Sequence, residues 1–76
     1  MREMEFKMER EGLVEIGQEY DVSEGRLPSS YYYTLEPAIA MSANIELRDR
    51  LKSSKGVVKA VNETPRGFFV TVEFDE

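Results

Sequence analysis

Residues 56–76 read GVVKAVNETPRGFFVTVEFDE and predict a β-hairpin that turns at Thr64–Gly67. Proline presets φ for the second position of a tight turn, and glycine accepts the left-handed conformation at its end. Apolar residues occupy every second position at Phe68, Val70, Val72 and Phe74, as in a half-buried strand. This stretch predicts a sheet and its buried face.

The register of this hairpin follows from the length of its loop. A three-residue loop at Pro65–Gly67 places Val58 opposite Phe74. The same register places Ala60 opposite Val72. These four side chains are therefore expected to form one apolar face.

The N-terminal residues predict a second hairpin. Residues 3–9 alternate charged and apolar side chains, which indicates a strand, although the same residue types also favour a helix. A loop at residues 10–12 would pair Met8 with Val14, apolar against apolar. That pairing favours two strands, the second over residues 13–22.

The middle of the chain predicts one helix, over residues 37–54. Pro37 suits the first helical position, where its missing N–H is not needed. The helix would carry two apolar stripes, and the second consists of Ala38, Met41 and Ile45. One stripe covers a small sheet, so the second is expected either to be wrapped by the sheet or to contact a second chain.

Three consecutive tyrosines, Tyr31, Tyr32 and Tyr33, follow a loop of turn-forming residues. They favour a short third strand or an ordered approach to the helix. Alternation cannot bury all three rings in an extended segment, so at least one is expected to be partly exposed. Tyrosine suits binding surfaces, and the alternative is that Tyr31 and Tyr33 close the open end of the core.

These elements predict one α+β domain over residues 1–76. Its antiparallel sheet has four to five strands in the order β-β-(β)-α-β-β, with a single helix packed on one face. The helix followed by strands at residues 56–61 and 70–74 resembles half of a ferredoxin-like domain, such as the metal-carrying ones. The cysteine pair that binds metal in that family is absent here, and no function is carried over.

The composition narrows the chemistry. The chain has 76 residues, no cysteine and no histidine, so disulfides are impossible and the usual ligands of zinc, haem and iron–sulfur clusters are missing. No glycine-rich phosphate loop is present. We therefore expect no enzyme activity, no cofactor and no metal.

The net charge of −5 argues against nucleic-acid binding. No apolar stretch approaches the ~20 residues of a membrane span, and a cytoplasmic location is expected.

The sequence predicts a non-enzymatic interaction or regulatory module that self-associates, as a homodimer. Its expected contact residues are Tyr31, Tyr32, Tyr33, Met41 and Ile45. The first alternative is a small-molecule-binding domain with a pocket between sheet and helix, lined by Tyr20, Tyr31 and Tyr33. A weaker alternative is an acidic protein inhibitor that mimics nucleic acid.

Overall fold

The computed structural model describes residues 1–37 and 39–76, and in them the chain forms an antiparallel β-barrel. The strands are β1 (Arg2–Met8), β2 (Glu19–Arg26), β3 (Ser30–Leu35), β4 (Ala40–Ser42), β5 (Ile45–Glu46), β6 (Lys55–Thr64) and β7 (Gly67–Phe74). A 3₁₀ turn at Leu47–Asp49 follows β5.

Six strands close the barrel in the order β2-β6-β7-β1-β4-β3, and β3 pairs back to β2. The β1–β7 ladder runs the full length of β1. On β3, residues Tyr31–Leu35 pair with β2 along one edge. The other edge of β3 pairs with β4 near its end and with β5 near its start. Consequently β4 and β5 lie one after the other along the same edge of β3, and β4 also pairs with β1.

The core lies inside the barrel, because alternation turns every second side chain of each strand inward. The side chains with no exposed surface are Phe6, Leu35, Val58, Val70, Val72 and Phe74. The rings of Phe6 and Phe74 meet there, with centroids 6.3 Å apart and planes tilted by 45°. A closed sheet covers its own apolar face, and for that reason it needs no helix.

The predicted α+β fold is wrong: the described residues contain no α-helix. Of the predicted helix 37–54, the described part forms β4, β5, the 3₁₀ turn and an extended approach to β6, and Ala38 lies outside the described residues. Hydrogen bonds to other strands stabilise this segment in a non-helical conformation. The Tyr33 N–H of β3, for example, donates to Ser42 Oγ of β4 at 2.9 Å. The ferredoxin-like resemblance fails with the helix.

The predicted N-terminal hairpin is also wrong, although β1 itself is confirmed as a strand with Met4, Phe6 and Met8 buried. β1 pairs with β7 and β4 rather than with the residues that follow it. Residues 9–18 form a loop instead. The loop is tied to β6, since the Gly17 N–H donates to the Val58 carbonyl at 2.7 Å.

The C-terminal hairpin is confirmed, but its predicted register is off. Thr64 pairs with Gly67, so the turn has two residues instead of three. A bulge between Val58 and Ala60 then shifts the register and places Val58 opposite Val72. Ala60 is consequently only half-buried, while the other three members of the predicted face are fully buried.

Candidate functional site

A groove of about 490 Å³ lies on the outer wall of the barrel, across β1, β4 and β7. On β1, Lys7 pairs with Phe69 of β7 on one side and with Met41 of β4 on the other. Directly opposed residues on paired strands lie about 5 Å apart. These three side chains, all turned away from the core, therefore form a continuous row across the wall.

The floor of the groove is apolar. Met41 is 51% exposed, although it is a large hydrophobic residue in a regular strand. Ile39 and Phe69 are half-buried beside it and line the same groove. Clustered apolar surface in a concave site is typical of a contact surface, whereas single exposed apolar residues need no explanation.

Charged side chains border this apolar floor. Glu5, Lys7 and Glu9 alternate with buried residues along β1 and its end, so they point to the outside. Lys7 Nζ lies 3.8 Å from Glu9 Oε1, which partly offsets both charges. Glu5 takes part in no ion pair with another described residue. The border is therefore net acidic.

A second polar cluster lies where the segment after the 3₁₀ turn meets β2 and β3. The Tyr33 hydroxyl donates to Glu24 Oε2 at 2.8 Å and accepts from the Leu51 N–H at 2.8 Å. Arg50 donates to both oxygens of Glu24, from Nε at 3.0 Å and from Nη2 at 2.9 Å. Its guanidinium carbon lies 4.8 Å from the ring centre of Tyr31.

The pKa shifts in this cluster follow from these contacts. Hydrogen bonds from Arg50 lower the pKa of Glu24, against the opposing effect of desolvation. Burial raises the pKa of Tyr33, and the hydrogen bond from Leu51 opposes that rise. The Glu24 contacts raise the pKa of Arg50. The cluster holds its charges in place and ties Leu51 to the barrel, which is a stabilising role.

Glu76 makes a similar clasp. Its Oε1 accepts from the N–H groups of Lys52 and Ser53, at 2.9 and 2.8 Å, and from Ser53 Oγ at 2.7 Å. Its Oε2 lies 3.4 Å from Arg2 Nη1. Burial raises the pKa of Glu76, whereas these hydrogen bonds lower it by more. The pKa of Glu76 therefore lies below its ordinary value.

The predicted contact residues do not form one surface. Tyr31 and Tyr33 are buried, and Tyr32 lies on the outside, where its ring covers Gly25 of β2. Ile45 packs against the core. Of the five, Met41 alone lines the groove.

The predicted small-molecule pocket loses one of its walls, because no helix is present in the described residues. Tyr20 packs against the core, and its hydroxyl accepts from the Glu15 N–H at 2.9 Å. The Tyr33 hydroxyl is likewise engaged by Glu24 and Leu51. Tyr20, Tyr31 and Tyr33 therefore contribute to the packing and hydrogen bonding of the barrel.

Sequence reasoning missed Ile39, Phe69 and the charged border of the groove. One signal was available for Phe69. Phe68 and Phe69 are consecutive in a strand, and consecutive side chains point to opposite faces. One of the two rings therefore had to face outward. No such signal joins Phe69 to Met41, because that contact depends on β1 lying between β7 and β4.

Comparisons with protein families, with curated proteins and with solved structures find no match for this chain. Within the described residues, no three or more Asp or Glu side chains are grouped as a metal site requires. No helix in residues 1–37 and 39–76 is both long and apolar enough to cross a lipid bilayer.

Proposed function

We propose that this chain is a non-enzymatic protein-interaction module that contacts its partner through the outer groove. The observation that carries the proposal is the half-exposed Met41, set between Ile39 and Phe69 in a concave part of the strand wall. What distinguishes Met41 from other exposed apolar residues is this cluster in a concave site, which is typical of a surface that a partner covers.

The charge around the groove points to the chemistry of the partner. Glu5 and Glu9 outnumber Lys7 at its border, and the whole chain carries −5. Complementary charge favours encounter with a basic surface and disfavours an acidic one. The expected partner therefore presents an apolar side chain, for the floor, next to lysine or arginine, for the border.

The non-enzymatic part of the proposal is supported by the state of the ionisable groups. In the cluster around Tyr33, the carboxylate of Glu24 and the hydroxyl are both committed to hydrogen bonds. A general acid or base needs a proton position that faces a substrate. The Tyr33 hydroxyl proton is already donated to Glu24, and hydrogen bonds from Arg50 favour the ionised form of Glu24 by lowering its pKa.

The test is a selection of peptides from a random display library on the wild-type protein. We expect enrichment of peptides with an apolar residue beside a basic one. Their affinity for Met41→Glu should fall about tenfold or more, because a charge would occupy the apolar floor. Fluorescence anisotropy with the enriched peptides measures this change.

The matched control is Ile16→Glu, which makes the same change at a residue that is 67% exposed in the loop between β1 and β2. It should bind as the wild type does. Peptides that bind both variants equally well would contradict the groove as the contact site.

The homodimer predicted from sequence stays a prediction. Sedimentation velocity at high micromolar concentration tests it, and Met41→Glu should dissociate a dimer that forms through the groove.

A further inference from the structure

The groove continues along β1 past the point where β4 ends. A second hollow of about 220 Å³ is lined by Glu3, Met4, Glu5 and Thr71. It shares Glu5 with the groove, so the two form one track along the outside of β1. From Glu3 to Glu9 this track spans about 20 Å at the rise of a strand. That length suits an extended segment of about six residues.

Beside this track, β1 has an incomplete edge. Toward β7 it pairs over all of Arg2–Met8, but toward β4 it pairs only over Phe6–Met8. Among the described residues, β5 supplies no ladder partner for the first half of β1. In an antiparallel ladder every second residue turns its N–H and C=O away from a given neighbour. Part of Arg2–Glu5 therefore offers unpaired backbone groups on this side.

A side chain bridges this gap where a strand would otherwise pair. Arg2 Nη2 donates to the Asp49 carbonyl at 2.6 Å, so the 3₁₀ turn is joined to β1 through a guanidinium instead of a backbone ladder. Ala43 and Asn44, between β4 and β5, are both exposed and belong to neither strand. No described strand therefore pairs with the β1 backbone at Glu3–Glu5 on this side.

The charges of Glu3 and Glu5 indicate which kind of strand can pair with this edge. A second copy of β1 paired antiparallel about Met4 would place Glu3 opposite Glu5, and like charges directly opposite each other are destabilising. Neither Glu3 nor Glu5 takes part in an ion pair with another described residue. A strand that carries lysine or arginine at alternate positions would pair with both.

From the edge and its charges we propose that the partner is an extended basic segment of another protein, added as a strand to the free edge of Arg2–Glu5. Its basic side chains lie on the outer face beside Glu3 and Glu5, and an apolar residue beyond the paired stretch reaches the groove. This rests on the proposed function and adds the mode of binding to it. In this mode backbone hydrogen bonds supply affinity and alternate side chains supply specificity.

The probes are two capped hexapeptides, one alternating lysine with valine and the other alternating glutamate with valine. The lysine peptide is expected to bind at least about tenfold more tightly, and Met41→Glu should weaken it. The charge variant Glu3→Lys/Glu5→Lys should reverse the preference. Glu11→Lys/Glu63→Lys, with the same change in net charge at two exposed residues elsewhere, should not.

Two N-methylated forms of the lysine peptide test the backbone contact. Methylating every second amide blocks one edge of an extended peptide and leaves the other free. One form is expected to lose binding and its counterpart to keep it. Loss with both forms, or with neither, overturns strand addition at a single edge, as does failure of the unmodified peptide to bind.

The two proposals fail in different ways. Library peptides that depend on Met41 but tolerate methylation of either edge would leave the groove as the contact site and overturn strand addition. Binding that ignores Met41 would overturn the groove itself. Hydrogen exchange on the complex gives an independent check, because strand addition should slow exchange of amides within Arg2–Glu5 while leaving those of Phe6–Met8 unchanged.

Discussion

Two walls of the barrel are held together by different kinds of contact. The ladder wall, β1, β6 and β7, has long backbone ladders, with a bulge between Val58 and Ala60, and supplies most of the fully buried side chains. The clasped wall, β4, β5 and residues 47–54, has strands of three and two residues. The Tyr33 hydroxyl, the Arg2 guanidinium and the Glu76 carboxylate form hydrogen bonds with its backbone.

The two walls differ in what determines their structure, which is the local sequence pattern in one and contacts between separate elements in the other. In the ladder wall, alternation of apolar and polar residues is enough to place each side chain inside or outside. In the clasped wall the strands are short, and the course of the chain depends on side chains from other elements, as Lys52 depends on Glu76. The proposed partner site lies where the two walls meet, along β1.

The largest expected effect is in the ladder wall. Phe74 has no exposed surface and packs against Phe6, so Phe74→Ala should lower the free energy of unfolding by about 3–5 kcal/mol. Urea unfolding followed by circular dichroism measures the loss. Met41→Ala, at a half-exposed position, is the control and should cost much less. A loss below about 1 kcal/mol for Phe74→Ala would contradict the core assignment.

The next effect tests close packing in the same wall. Gly56 is buried, and a Cβ there would meet Val72 and would lie 2.7 Å from Cε1 of Phe74. Gly56→Ala should therefore cost about 1–3 kcal/mol from overpacking, although alanine is the better strand former. The urea midpoint reports it, and Ser54→Ala, at an exposed neighbour, is the control. A stabilised Gly56→Ala would show that the interior has room to spare.

In the clasped wall, Tyr33→Phe should cost about 1–3 kcal/mol, because the buried N–H of Leu51 loses its acceptor. Hydrogen exchange should show the Leu51 amide opening more readily while amides of the β1–β7 ladder change less. Tyr32→Phe, on the outer face, is the matched control. Equal acceleration in both walls would mean that they unfold as one unit and would remove the distinction between them.

The smallest effect is a pH dependence. The pKa of Glu24 is lower in the folded protein than its ordinary value of 4.5, chiefly through hydrogen bonds from Arg50. The unfolded chain therefore binds the proton more readily. The stabilisation is complete above the ordinary value and is lost as the pH falls through the lower, folded value.

Glu24→Gln should accordingly weaken the decline in stability at acid pH, measured as the free energy of unfolding from pH 6 downwards. Arg50→Gln should weaken it by a similar amount, since the two side chains form one pair. The double variant should show little more than either single one. A decline unchanged from the wild type in Glu24→Gln would contradict this origin.

Much of the ladder wall could be predicted from the chain. The alternation in β1, the turn at Thr64–Gly67 and the alternation in β7 identify three strands correctly. The register was missed because the turn has two residues instead of three, and because a bulge at Lys59 leaves no mark in the pattern of apolar residues. Met41 was identified as a contact residue, for the wrong reason, and that role stays a prediction.

The local order of apolar and polar residues specifies which face of each strand is buried, since a strand repeats every two residues wherever it pairs. The same order does not specify what β1 pairs with, or that residues 39–54 stay extended. Helix preference is worth less than about 1 kcal/mol per residue, so the contacts from Tyr33 and Glu76 can outweigh it. Closure of the barrel supplies those contacts, and it also creates the groove by bringing Phe69 and Met41 to either side of Lys7.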